Sequence, residues 1–361
     1  VYTALTFLVI SCPCALVLSV PLAFFSGIGA GSKQGILFKG GSSLEAIKNI
    51  TTVVMDKTGT ITKGNFEVQK AVPVGKFSEE QLLAYSAACE MNSTHPIGNS
   101  IISYAKEHGI ALERPSKVEE LAGKGIRAVI ADGEVLCGNR KLMAQFGVDI
   151  SAYDPDSFGT EVLTALNGDF IGHIVIADTI KEESPAAIQA LKALGIKTAM
   201  LTGDGEASAA AVAEATGIDE VHAKLMPQDK LTELIEIRNR DGAVMFVGDG
   251  INDAPVLAGA DVGAAMGSGA DAAIEAADVV FMNSSLTSVA DSISIARAAT
   301  KVAFQNVVFA LIIKAMVMVL GLLGMASMWF AVFADSGVAV LCVINSVRVL
   351  YRFQKRGGKR E

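Results

Sequence analysis

The sequence predicts membrane-spanning α-helices joined to a soluble α/β region in which a Rossmann-type parallel sheet is interrupted by an inserted α+β domain. Three observations predict it. The 361-residue chain is 51% hydrophobic yet 19% charged, with a mean hydropathy of +0.44, as expected of soluble parts joined to a few spans. Its long apolar runs lie at the two ends, and between them short β-branched runs each end in an acidic loop.

Roughly 20 apolar residues cross a hydrocarbon core of about 30 Å. Three runs qualify: Val1 to Phe25, Val302 to about Met328, and Trp329 to Leu350. The tail carries Arg348, Arg352, Lys355, Arg356, Lys359 and Arg360 against one acid, Glu361, and this excess marks it as cytoplasmic. The last two spans form a hairpin turning near Gly324 to Trp329. The soluble middle is therefore expected on the cytoplasmic side, and the first span is expected to begin outside. That first run lacks a basic leader and a small-residue cleavage pattern, so it does not read as a signal peptide. The chain reads as one entered at a transmembrane helix. A net charge of −8 argues against a nucleic-acid partner. Five cysteines, three of them inside spans, make no disulfide framework.

In the soluble middle, TVVMDKT (Thr52 to Thr58), IGHIVIAD (Ile171 to Asp178), KTAMLTGD (Lys197 to Asp204) and AVMFVGDGIND (Ala243 to Asp253) repeat one pattern, an apolar run followed by a polar loop. Such runs suit a parallel sheet whose loops at the carboxyl ends of the strands face one crevice. From about Gly64 to Gly172 the rhythm changes, which marks an insert. Asp56 ends its strand and can attack a phosphoryl group if cations screen the two negative charges. Lys230 is one such cation. Mg²⁺, held by Asp56, the Thr58 carbonyl and Asp249, is the other. Thr202 and Gly203 offer a hydroxyl and an open backbone N–H to phosphate oxygens, and Asn252 and Asp253 complete the cluster around the metal. Each acidic loop alone reads more readily as a helix cap or solvated turn; it is four such loops in this order that point to a site.

The motifs DKTGT (Asp56, Lys57, Thr58 and onward), TGD (Thr202, Gly203, Asp204), Lys230 and GDGIND, interrupted by an insert, resemble the phosphorylation domain of the P-type ATPases, within the haloacid dehalogenase superfamily. Their pairing with CPC (Cys12 to Cys14) in the first apolar run and with THPIG (Thr94 to Gly98) resembles the heavy-metal subfamily. The resemblance covers nearly the whole chain. It implies a span with stalk at residues 1–48 and a phosphorylation domain in two parts, 49–63 and 173–290. It further implies a nucleotide-binding domain at 64–172, two spans at 291–350 and a basic tail at 351–361. ATP contacts are then expected at Glu90, His95, Gly123, Gly125 and Asn139. The family also carries an actuator domain with a TGE loop and further spans. Here only GTE occurs, at Gly159 to Glu161 inside the insert, so this chain alone is not expected to complete turnover. GKGIRA and GSGADA satisfy a loose dinucleotide fingerprint but lack its strand, helix and acid in register.

On a regular helix Cys12 and Cys14 would point about 200° apart. Pro13 can unwind that turn and bring both sulfurs to one cavity. Thiolates favour Cu⁺, Zn²⁺, Cd²⁺ and Pb²⁺. Lys314 and Asp335 are intramembrane charges, expensive unless paired toward the bundle interior. Copper members of the family carry Tyr-Asn and Met-Ser-Ser where this sequence has Ile313-Lys314 and Ala334-Asp335-Ser336, a departure that resembles the zinc, cadmium and lead branch. The expected ion site is Cys12, Cys14 and Asp335, with Lys314 as counter-ion. A helix from about Gly27 to Ile47 should link it mechanically to the Asp56 strand. The expectation is an ATP-driven exporter of Zn²⁺, Cd²⁺ or Pb²⁺ in a plasma membrane, of bacterial type. A Cu⁺ exporter and a membrane-tethered phosphohydrolase are the alternatives.

Overall fold

The computed structural model describes residues 14–93, 95–155, 159–323, 325 and 328–357. The chain forms two compact units. One comprises residues up to Ile61, Glu182–Gly203 and the chain from Thr216 onward; the other comprises Thr62–Lys181 and Asp204–Ala215.

The first unit holds a seven-stranded sheet in the order Ile36–Phe38, Val279–Phe281, Val262–Met266, Val244–Gly248, Thr52–Asp56, Lys197–Leu201 and Glu220–His222. All neighbours pair in parallel except Ile36–Phe38, which runs antiparallel to Val279–Phe281. The central runs TVVMD and VMFVG are buried at every position, as expected of parallel strands covered on both faces. Val54, Leu201, Leu234, Ile237 and Phe246 form one continuous core with neighbours on both layers. Each such side chain contributes about 1.5–3 kcal/mol. The parallel order brings the ends of Thr52–Asp56, Lys197–Leu201 and Val244–Gly248 to one edge of the sheet.

Three apolar helices belong to the same unit. Cys14–Ser32 packs against both Thr287–Leu322 and Val338–Gly357, which also pack on each other. Thr287–Leu322 and Phe333–Phe353 are long and apolar enough to cross a membrane. The 36 residues of the former span about 54 Å, far more than the predicted run from Val302. Its first turns bury Val289, Ile293, Ala296 and Ala299 and lie on the helices Gly41–Ile47 and Ser184–Ala193, and Arg297 donates to the Leu194 carbonyl at 2.8 Å. Farther along, Phe304, Leu311 and Ile312 are exposed, the pattern of a lipid-facing surface. Most of the predicted first span falls on residues 1–13, outside the described residues.

Two expectations need correction here. The link from Gly27 to Ile47 is not one helix: it ends at Ser32, turns at Gly35 with φ +73°, forms Ile36–Phe38 and resumes as Gly41–Ile47. Gly35 permits the left-handed turn, and the Ile-Leu-Phe run finds an edge of the sheet to pair with. The IGHIVIAD run also does not join the parallel sheet. It lies in the strand Asp169–Ile180, whose residues from Gly172 to Ile180 pair antiparallel with Thr62–Pro73.

That pair opens the second unit, a six-stranded antiparallel sheet in the order Thr62–Pro73, Asp169–Ile180, Thr160–Leu166, Gly133–Gly138, Gly125–Ile130 and Lys117–Leu121. The helices Glu79–Glu90 and Pro96–Glu107 contribute Leu82, Leu83, Ile101 and Ala105 to a core with the strand residues Ile126, Val135 and Ile174. Ser78 and Gln81 close the first helix with a reciprocal capping box, which satisfies two of its orphan N–H groups. The insert thus extends from Thr62 to Ile180 as one sheet, beyond the predicted boundary at Gly172.

Candidate functional site

Asp56 stands at the carboxyl end of the central strand with a side chain 11% exposed. Lys230, from the helix Pro227–Asp241, reaches it at 2.5 Å and reaches Asp253 at 3.0 Å. Asp249 follows the neighbouring strand, and the carboxylate oxygens of Asp56, Asp249 and Asp253 lie within 4.8 Å of one another. Three acids facing one ammonium leave an excess of negative charge. Burial, with Asp253 and Asp249 beside it, pushes the Asp56 carboxyl up to about 7 despite the pull of Lys230. Burial alone would lower the Lys230 ammonium, but Asp56 and Asp253 outweigh it and raise it. Oxygen donors at this spacing suit a divalent cation such as Mg²⁺.

Glycine geometry holds the cluster together. Gly59 of the DKTGT turn has φ +73°, and a Cβ there would sit 1.7 Å from Asp249 Oδ2. Only glycine allows that approach. Gly250 donates its N–H to Asp253 Oδ2 at 3.2 Å, and Ala270 donates to the Asp249 carbonyl at 2.8 Å, fixing that loop from behind. Lys57 is buried, Thr58 is exposed, and Thr60 has a buried hydroxyl with no hydrogen-bond partner among the described residues. Thr202 is buried, its N–H donating to the His222 carbonyl at 3.0 Å, and Gly203 is exposed at the same strand end. Asn252 is exposed in the short turn Ile251–Asp253. Asp204 belongs to the second unit.

In that second unit, Glu90, His95, Gly123, Gly125 and Asn139 line one cavity of about 330 Å³. Glu90 ends its helix and is 7% exposed. Burial raises its carboxyl more than hydrogen bonds to Ser93 and Cys137 and the nearby His95 lower it. A Cβ at Gly98 would lie 2.4 Å from Glu90 Oε2, so the glycine of THPIG makes room for this carboxylate. His95 caps the helix Pro96–Glu107, Nδ1 accepting from the Ile97 N–H at 3.3 Å, which leaves Nε2 for a ligand. Gly125, at φ +139°, lets its strand pass against the Cys137 carbonyl. Asn139 is also engaged within its own loop. Its Oδ1 accepts from the N–H groups of Lys141 and Leu142, and its Nδ2 donates to the Gly123 carbonyl at 2.9 Å. These bonds tie it to the glycine loop while it lines the cavity.

Among the membrane helices, Lys314 Nζ and Asp335 Oδ1 stand 3.9 Å apart with side chains 15% and 16% exposed. Both atoms are buried without a hydrogen-bond partner among the described residues. Asp335 lies in a widened turn, Phe333–Gly337, the kind of π-bulge that re-aims side chains. Cys12 lies outside the described residues. Cys14 begins the first helix, and its side chain is not described. Sequence reasoning did not single out Asn306, buried in the same bundle. Its Nδ2 donates to the Cys342 carbonyl at 3.1 Å and to Ser346 Oγ at 2.9 Å, and its Oδ1 accepts from Asn345 at 2.8 Å. A neutral amide inside an apolar run was its only signal.

Comparisons with known proteins agree with this architecture. Residues 50–261 match the model of the haloacid dehalogenase-like hydrolase family. A zinc-transporting ATPase from Synechocystis sp. is 48% identical over 353 residues, covering 97% of this chain and 48% of that protein. A copper-exporting P-type ATPase from Bacillus subtilis is 38% identical, covering 95% of this chain and 43% of that protein. The crystal structure of a zinc-transporting PIB-type ATPase in the E2.Pi state superimposes with a TM-score of 0.88 at 37% identity, covering 97% of this chain and 58% of that one. The chain spans about half the length of the curated relatives it matches.

Proposed function

The chain belongs to the haloacid dehalogenase-like hydrolases, among the heavy-metal P-type ATPases, and on that premise we propose that it serves ATP-driven export of Zn²⁺, Cd²⁺ or Pb²⁺ across a bacterial plasma membrane. Asp56 is the acceptor. One carboxylate oxygen attacks the γ-phosphorus of ATP, the bond to the β-phosphate oxygen breaks, and ADP departs with the electron pair, leaving an aspartyl phosphate. Hydrolysis of that phosphate restores the carboxylate.

Lys230 holds Asp56 in position and offsets the charge that gathers as phosphate approaches. Mg²⁺, held by Asp56, Asp249, Asp253 and the Thr58 carbonyl, would supply the remaining positive charge. Thr202 and Gly203 stand at an adjacent strand end to receive phosphate oxygens. The insert holds the nucleotide, with Glu90, His95 and the Gly123–Gly125 loop around it and Asn139 as the residue that fixes the loop.

The observation that carries the transport reading is the Lys314–Asp335 pair, a buried carboxylate and ammonium balanced one to one inside apolar helices. An arriving divalent ion takes Asp335, together with Cys12 and Cys14, and releases Lys314. A carboxylate is a poor ligand for Cu⁺ and a fair one for a borderline divalent ion. The test is ATP-dependent metal uptake into inside-out vesicles holding the full-length protein. Uptake of Zn²⁺, Cd²⁺ or Pb²⁺ that disappears in Asp335→Ala is the expected result. Uptake of Cu⁺ alone, or activity on phosphate esters without any metal, would overturn it.

A further inference from the structure

We propose that the sheet-proximal end of the membrane helices carries a binding site for the headgroup of an anionic phospholipid, formed by Lys301, Arg348 and Arg352. The proposal rests on reading these helices as spans whose sheet-bearing end is cytoplasmic. A cavity of about 490 Å³ opens between the long helix and the last one, with Lys301 and Gln305 from the former and Arg348 and Arg352 from the latter. Three cations line it and no acid does, in a chain whose net charge is −8.

The depth of the cavity follows from the hydrogen bonds between the two helices. Asn306 meets Cys342 and Ser346, which sets the level of one antiparallel helix against the other. From Asn306, Lys301 lies five residues toward the sheet, about 7.5 Å along the axis. From Ser346, Arg348 and Arg352 lie two and six residues in the same direction, about 3 and 9 Å. The three cations therefore bracket one level. Beyond Lys301 the run from Val302 to Leu322 is apolar except for Gln305, Asn306 and Lys314 and long enough to cross a hydrocarbon core of about 30 Å. Lys301 is the last charge before that core, so the cavity lies where lipid phosphates lie.

A lipid, rather than a free anion, fits what adjoins the cavity. Phe304 and Val308 follow Lys301 on the same stripe of the long helix, and Leu341 and Ile344 precede Arg348 on the same stripe of the last one. All four are exposed apolar side chains, a surface for acyl chains directly below the cations. The Arg348 guanidinium is also steadied in place, donating to Asn345 Oδ1 at 2.9 Å, while Asn345 in turn donates to Asn306. Two guanidinium forks and an ammonium match the oxygens of a phosphodiester.

The experiment compares spin-labelled phosphatidylglycerol with spin-labelled phosphatidylcholine for association with the full-length protein in phosphatidylcholine vesicles. The wild type should prefer phosphatidylglycerol. Lys301→Gln, Arg348→Gln and Arg352→Gln should each reduce that preference by about fivefold, while the charge-conserving Lys301→Arg keeps it and so separates charge loss from misfolding. Neutralising Lys355 and Arg356 in the tail should leave the preference intact. Equal loss in the tail variant would reveal diffuse surface attraction and overturn the site, as would displacement of the labelled lipid by millimolar inorganic phosphate or no preference at all. Zinc uptake in the same vesicles is read separately, so failure of the transport reading and failure of the lipid site give different results.

Discussion

The lysine–aspartate pairs Lys230–Asp56 and Lys314–Asp335 differ in what surrounds them. In the sheet unit, Lys230 hydrogen-bonds Asp56 at 2.5 Å and shares itself with Asp253, beside Asp249. In the membrane bundle, Lys314 and Asp335 stand 3.9 Å apart, beyond hydrogen-bond reach, and neither Nζ nor Oδ1 has a hydrogen-bond partner among the described residues. The first pair sits in a surplus of negative charge that only further cations can neutralise. The second is balanced, and balance is the condition for keeping charge inside a hydrocarbon-thick bundle. In the proposed function, the surplus would serve to gather Mg²⁺ and phosphate together, whereas the loose neutral pair would let a carboxylate be exchanged between an internal ammonium and an arriving ion.

The largest effect is expected where the surplus is removed at its centre. Asp56→Asn should reduce phosphoenzyme to background while stabilising the metal-free protein. The sign follows from the raised carboxyl at about 7. The fold binds this proton more tightly than the unfolded chain does, so that contribution is complete below about pH 4 and is lost as pH rises through about 7. Wild-type stability without Mg²⁺ should therefore fall between pH 5 and 8 more steeply than that of Asp56→Asn, as denaturant titration at both pH values would reveal. Parallel curves would remove the charge-surplus argument.

Lys230→Ala comes next. It leaves three acids without their ammonium, and removal of one partner of a buried pair costs about 3–5 kcal/mol. Phosphorylation should slow about 100- to 1,000-fold, with the apparent Mg²⁺ requirement shifted to higher pH. A rate within a few-fold of wild type would show that Lys230 is a bystander.

The membrane pair should respond differently. Lys314→Ala and Asp335→Ala each leave a buried charge alone, while the double replacement removes both. The double variant should be more stable to heat than either single one, giving a coupling of about 0.5–3 kcal/mol in a double-mutant cycle. Additive losses would mean that the two charges do not sense each other. A smaller effect is expected at Gly98→Ala, whose methyl would intrude on Glu90. Overpacking of about 1–3 kcal/mol should weaken ATP binding to the full-length protein, measured calorimetrically, without altering the membrane pair's response to Zn²⁺.

The sheet site was the more legible of the two regions because its chemistry is written locally. Asp56 ends one apolar strand and Asp249 and Asp253 come after its neighbour, and strand ends in a parallel sheet share an edge. Lys230 was expected as the cation that screens Asp56, and the structure brings it into hydrogen-bond contact. The IGHIVIAD strand misled because a buried apolar run looks the same in parallel and antiparallel sheets; its partner, Thr62–Pro73, lies about a hundred residues away. The link from Gly27 to Ile47 misled because Ala, Gly and Ser residues continue a helical pattern until Gly35 turns it. Asn139 lines a cavity with the other expected nucleotide contacts, yet sequence alone could not reveal that its side chain also caps a helix and holds a loop carbonyl. Lys314 and Asp335 stood out because charges in apolar runs are rare, whereas Asn306, being neutral, did not.

Metal bound at the membrane pair should raise phosphorylation at the sheet pair, and rapid-quench phosphorylation from labelled ATP measures that link, with Zn²⁺ titrated against wild type and the near-isosteric Asp335→Asn. Hydroxylamine-sensitive labelling of Asp56 that rises with Zn²⁺ in the wild type and stays flat in the variant is the predicted result. Equal labelling of both proteins, with or without Zn²⁺, would contradict it by showing that the sheet pair works without reference to the membrane pair.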